Sequence, residues 1–227
     1  MRVSLVISRY PVWAIPFAFI SMAIFRLPLW LNKNIGFWRL MGSGKNGSFD
    51  LTPDLQQWAI LIVQNDSTGG LSAAAEVHLT PSSFINNWIK FFKGKSICYL
   101  LEPIEGHGLW GGKEVFGKLP KQTAYEGRIA VLTRASIRLS KLKSFWKHVP
   151  AVSNKMADAP GLIKSYGIGE IPFIKQATFS IWESKEAMKK FAYSMQEHKE
   201  VVRKTHTENW YSEEMFVRFK VCKIRTS

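Results

Sequence analysis

Apolar periodicity passes through one order of elements, strand-helix-strand-strand-helix-strand, and then passes through it again. In the first pass Val3, Leu5 and Ile7 alternate with polar or smaller partners, which predicts a strand. The run from Val12 to Phe25 is almost wholly apolar and predicts a helix. Phe37 to Met41 predicts a short strand ending in a sharp turn at Gly42-Ser43-Gly44, and the continuous apolar run Trp58 to Val63 predicts a strand buried on both faces. Thr80-Pro81 offers a capping hydroxyl before a first-turn proline; Phe84, Ile85, Trp88 and Phe92 follow at helical spacing. Ser96 to Leu101 completes the unit as a strand.

The second pass runs from a strand at Ile129 to Ile137, through a helix at Leu142 to Val149, to a short strand at Leu162 to Tyr166 ending in Gly167-Ile168-Gly169. Lys175 to Trp182 is the third strand, a helix begins near Ser184, and Met215 to Val221 alternates apolar and charged residues as the last strand. One such unit makes a sheet with a bare face and open edges, and two units in one chain can bury both. The expected fold is therefore α+β, two fused ferredoxin-like β-α-β-β-α-β repeats forming an α+β barrel. The N-terminal half is 1–105, the linking loop 106–127, and the C-terminal half 128–227. The loop, rich in Gly, Pro and Lys, is too long for a simple connection and is expected to carry short elements or to cover something.

Composition narrows the function classes. A formal charge of +14 raises nucleic acid, an anionic membrane or an acidic partner. Lys and Arg are scattered, without a basic run, zinc spacing or RNA-binding aromatic signature, so no nucleic-acid partner is expected. Cys98 and Cys222 are too few for a disulfide framework and point to a reducing cytoplasm. The Val12–Phe25 run is shorter than the roughly 20 residues a membrane span needs; Pro16 interrupts it, Arg26 closes it, and no small-residue cleavage site follows. A buried helix is the expectation, while the basic surface leaves peripheral membrane contact open.

In the last helix Met188, Phe191, Ala192 and Met195 form one apolar stripe, which continues to His198 and Val202. An imidazole on an inward helix face needs a partner, and iron is one that haem proteins commonly supply there; a hydrogen-bonded core histidine has the same signature. His206 is the reserve, whereas His78 precedes a helix cap, His107 lies in the glycine-rich loop and His148 adjoins Pro150. On the strands, Arg134, Ser136 and Arg138 share one face, as do Gln176, Thr178 and Ser180. If those faces look toward the helices, they set donors opposite His198 to hold haem carboxylates or polarise iron-bound oxygen.

Several stretches resemble the spheroidene monooxygenase family of carotenoid-modifying enzymes. They are Leu132-Thr-Arg-Ala, Phe145-Trp146 followed by Val149-Pro150-Ala-Val-Ser, Ile168-Gly-Glu-Ile-Pro-Phe through Gln176-Ala-Thr-Phe-Ser-Ile-Trp182, and Trp210 through Phe219. In the first half Phe37-Trp-Arg-Leu-Met-Gly-Ser-Gly44 and Trp58-Ala match as well. The resemblance implies a haem b-dependent monooxygenase that uses iron and O2 to oxygenate an acyclic carotenoid, or similar apolar polyene, beside its methoxy end. A second round would give a geminal diol that loses water to a ketone, with electrons from a donor such as ferredoxin. It implies His198 as the iron ligand, where the helical stripe also puts a histidine; the same stripe sets Phe191 and Met195 around the cofactor. Strand parity adds Arg138 as a cofactor contact and Arg134, Gln176 and Ser180, which fall in the matched stretches, as catalytic candidates. A haem-binding module without oxygenase activity and a metal-free barrel for apolar ligands stay open as other readings.

Overall fold

A computed structural model describes residues 1–45, 47, 51–65, 82–194, 205 and 207–227, the side chains at 149–155, 157, 193 and 194 excepted. The first half contains β1 (Val3–Arg9), α1 (Ile15–Ile24), α2 (Arg26–Leu31), β2 (Ile35–Gly44), β3 (Pro53–Gln64), α3 (Ser83–Phe91) and β4 (Lys95–Gly108). The second contains β5 (Ile129–Ile137), α4 (Leu142–Ala157), β6 (Leu162–Ile171), β7 (Lys175–Trp182), α5 (Lys185–Ser194) and β8 (Tyr211–Thr226). All strands join one closed antiparallel barrel in the order β1-β3-β2-β6-β7-β5-β8-β4.

Closure removes the open edges that either half alone would expose. On one side β4 and β8 pair along most of their lengths, Ile97↔Thr226 to Gly108↔Met215. On the other, β2 meets β6 through Gly42↔Gly169 and Ser43↔Ile168. The glycine segments expected to be turns are thus strand ends that pair with each other, and Ser43 Oγ donates to the Gly167 carbonyl at 2.8 Å. Local sequence could not reveal this, because the partners lie more than a hundred residues apart. A Cβ at Gly169 would come 2.8 Å from the Lys175 carbonyl oxygen, so this seam needs glycine.

Alternation divides each strand between two cores. Val3, Leu5 and Ile7 point into the barrel with Leu61, Val63, Leu132, Phe179 and Phe219, while Val6 packs outward beneath α1 and α3. Inside, the Tyr99 and Tyr166 hydroxyls hydrogen-bond at 2.7 Å, linking the two halves. The segment after β4 closes this interior: Trp110, Val115 and Phe116 are buried in it, with Trp110 edge-on to Phe37 and Phe116 edge-on to Phe219.

Two local expectations change. The α3 cap is Ser82, whose hydroxyl accepts from the Ile85 N–H, whereas Thr80 and Pro81 lie outside the described residues. Pro16 lies in the first turn of α1, where its missing N–H costs nothing, and helix continues past Arg26 to Leu31. The run is not a buried helix: only Ala14, Ala18, Ser21, Phe25 and Leu29 are fully buried.

Candidate functional site

The outer face of the second half's sheet is the floor of the candidate site. Cross-strand register builds it in rows across β8, β5, β7 and β6. Arg218, Val131, Ser180 and Ser165 form the first row; Phe216, Thr133, Thr178 and Gly167 the second; Glu214, Ala135, Gln176 and Gly169 the third. Strand spacing makes this floor about 14 Å wide, and two-residue steps make it about 13 Å long. Its middle is low, set by Thr, Ala and Gly. Thr133 is exposed although β5 is flanked by strands on both sides. This central strand position is open to solvent on its helix-facing side.

Helices wall the floor at its two ends. From α5, Met188 is buried against Ile129, Val131 and Trp182, and Phe191 packs on Trp182 with ring centroids 5.3 Å apart. From α4, Phe145 packs with Ile137 and Trp210, and the Trp146 indole donates to the Phe173 carbonyl at 3.1 Å.

The site residues expected from sequence separate here. Gln176 and Ser180 lie on the floor with Thr178, buried and facing the helices. Ser180 Oγ accepts from the Trp182 indole at 2.9 Å, and the Gln176 amide donates to the Ile171 carbonyl at 3.1 Å. Arg134 and Ser136 lie on the other face. Arg134 pairs with Ala177 in register and shares the inward parity of Leu132, so its guanidinium enters the barrel. There it bridges Glu170 and Glu213, donates to Ser136 Oγ at 3.1 Å and lies 5.0 Å over the Trp110 ring. Arg134 is therefore part of the barrel interior and not a donor over the floor. Arg138 follows the end of β5, is exposed, and donates to the Tyr211 carbonyl. Phe191 lies at the floor's edge; Met195, His198 and the reserve His206 lie outside the described residues.

Sequence reading missed two features. His107 is a β4 residue and not a loop one: it pairs with Phe216, which extends the Thr133 row by one strand, and its ring stacks on Phe216 at 5.9 Å. The other is a charge cluster beside the first row. Glu105 is buried between Lys185, 3.0 Å away, and Arg218. Burial pushes the Arg218 pKa down, and its Nε is buried without a hydrogen-bond partner among the described residues. Two cations on one carboxylate leave net positive charge at this edge. Neither feature has a local signature, since Glu105, Lys185 and Arg218 meet only through barrel closure.

Glu213 ties the segment that follows β4, which plugs the barrel, to the inward cluster. Burial alone would raise its carboxyl pKa, but the N–H groups of Gly111 and Gly112 and the Arg134 guanidinium outweigh burial and hold it below the ordinary carboxylate value.

Comparison with known proteins agrees with this architecture. No family-wide profile matches the chain. An aldoxime dehydratase crystal structure superposes with a TM-score of 0.64 at 11% identity, covering 97% of this chain and 80% of that one. An aldoxime dehydratase in complex with butyraldoxime gives 0.60 at 9%, covering 97% and 79%. At such identities the likeness is one of fold. Among curated relatives, the spheroidene monooxygenase of Cereibacter sphaeroides is 35% identical over 187 residues, 82% of this chain, and the chain spans about half of that protein's length, 55%. The spheroidene monooxygenase of Rhodobacter capsulatus is 30% identical over 211 residues, covering 92% of this chain and 84% of the relative. With 30% identity sustained over more than four fifths of both this chain and the Rhodobacter capsulatus protein, the chain belongs to the spheroidene monooxygenase family.

Proposed function

We propose that this protein is a haem-dependent monooxygenase that inserts oxygen from O2 into an acyclic carotenoid, or a similar apolar polyene, to give a ketone. The observation that carries the reading is the solvent-open Thr133 at the centre of a low floor about 14 Å wide, a space suited to a flat macrocycle. Haem bound there would supply the centre at which O2 is activated with electrons from a ferredoxin-type donor.

The chain's own residues have distinct parts in this reading. Arg218 and Lys185, which share one carboxylate, offer the positive edge that haem carboxylates need. Thr133, Thr178 and Ser180 put hydroxyls on the floor, and Ser180 can still donate its own proton because its oxygen accepts from Trp182. Met188 and Phe191 keep water from one end of the site. The iron ligand we propose is His198, which the sequence stripe Met188, Phe191, Ala192, Met195 reaches at helical spacing. His107 lies at the outer end of its row, stacked on Phe216, about 10 Å from Thr133.

The test is an absorption spectrum of protein produced with a haem supply, followed by turnover of an acyclic carotenoid with O2 and a reductant. Wild type and His107→Ala are expected to show a Soret band that His198→Ala loses or shifts. Protein that stays colourless with excess haemin would overturn the haem reading. A stable haem complex that never oxygenates the polyene would overturn the enzymatic one.

A further inference from the structure

The first half carries helices in the places where the second carries the walls of its site, but their outward faces are apolar. Along the run Val12–Leu31 one stripe is buried on the sheet and most of the rest is exposed, Trp13 at 55% and Trp30 at 73%. From α3, Phe84 is also exposed, and Phe91 is 78% exposed. Part of this surface is continuous from one helix to the other: Trp13, Phe17 and Phe91 converge on the buried Phe92, which stacks on Phe17 at 4.3 Å, meets Phe91 at 5.0 Å and lies 6.2 Å from Trp13. A contiguous exposed patch of this kind marks a contact surface.

The charge around it identifies the contact. Arg26, Lys33, Lys90 and Lys93 are exposed on these helices or directly after them. No Asp or Glu occurs from Met1 to Phe49 or from Ser82 to Leu101. Aromatic and aliphatic side chains rimmed by cations alone match a membrane interface with anionic headgroups. A symmetric pairing of two copies through this face would set those cations against one another. The run is 20 residues and apolar enough to cross a bilayer by length and composition. However, its buried stripe holds it along the sheet, the geometry of a helix lying in the interface.

We propose that α1, α2 and α3 dock the protein in the plane of an anionic membrane surface. The proposal does not depend on the haem reading, because its experiment needs neither haem nor turnover. In flotation, wild type is expected to rise with vesicles of phosphatidylcholine mixed with phosphatidylglycerol and to be released by salt or alkaline carbonate. The variant Trp30→Glu/Phe91→Glu is expected to bind roughly tenfold more weakly, about 1.4 kcal/mol, with an unchanged melting temperature because both side chains are exposed. Failure of wild type to float, equal flotation of the variant, or retention after carbonate would overturn it. So would a wild-type dimer, dissociated by the same variant, that ignores vesicles.

Discussion

Replacing Arg134 with methionine removes a guanidinium that is 2% exposed and holds the barrel interior together around Trp110. Its contacts set the size of the loss. Glu170 would keep the Arg39 guanidinium at 2.7 Å and the Trp110 indole N–H at 3.0 Å. Glu213 would keep the N–H groups of Gly111 at 2.9 Å and Gly112 at 2.7 Å. Breaking one partner of a buried ion pair costs about 3–5 kcal/mol when the other charge is stranded. Here neither carboxylate is fully stranded, so the low end applies, about 3 kcal/mol. For a chain of this length, 1 kcal/mol moves Tm by roughly 3 °C, giving a fall of roughly 10 °C. Thermal melts followed by circular dichroism measure it. Because Arg134 points away from the floor, the Soret position in haem-loaded protein is expected to stay where it is in wild type. A variant that melts within about 2 °C of wild type but shifts the Soret band would refute both the energetics and the assignment of Arg134 to the barrel interior.

Two further outcomes follow from the geometry. Thr133→Trp puts a large ring on the floor at an exposed position, so stability is expected to stay within about 0.5 kcal/mol while haemin uptake in a spectral titration falls at least severalfold; full uptake would count against the site. Alkaline pH is expected to destabilise the fold through Tyr99 and Tyr166, whose pKa values lie above the ordinary 10.0 because of burial, with their mutual hydrogen bond adding to the rise at Tyr99. A raised folded-state pKa leaves stability intact below the unfolded value and drains it as pH climbs above about 10, where the unfolded chain ionises first. Urea melts at about pH 8 and about pH 11 should therefore differ, and less so in Tyr99→Phe; a pH-independent midpoint would be inconsistent with a buried tyrosine pair.

The sequence by itself determined the elements and their doubling. Period-two alternation located β1 and β8, the apolar runs located β3 and α1, and the repeated order required a sheet whose bare face and edges had to be buried. It also located a floor strand correctly in kind, since Gln176, Thr178 and Ser180 share a face. What parity cannot state is which face looks inward when both are covered. Val131 and Leu132 are both buried and apolar, so nothing local says that Arg134 follows Leu132 into the barrel while Thr133 follows Val131 toward the helices. Tertiary closure decided that, and with it every contact between distant segments. Gly42 met Gly169 as strand partners, Trp110 became a plug, and Glu105 came between Lys185 and Arg218. The physical reason is one of range: propensity and periodicity act over a few residues, whereas the barrel sets its register by pairing strands more than a hundred residues apart.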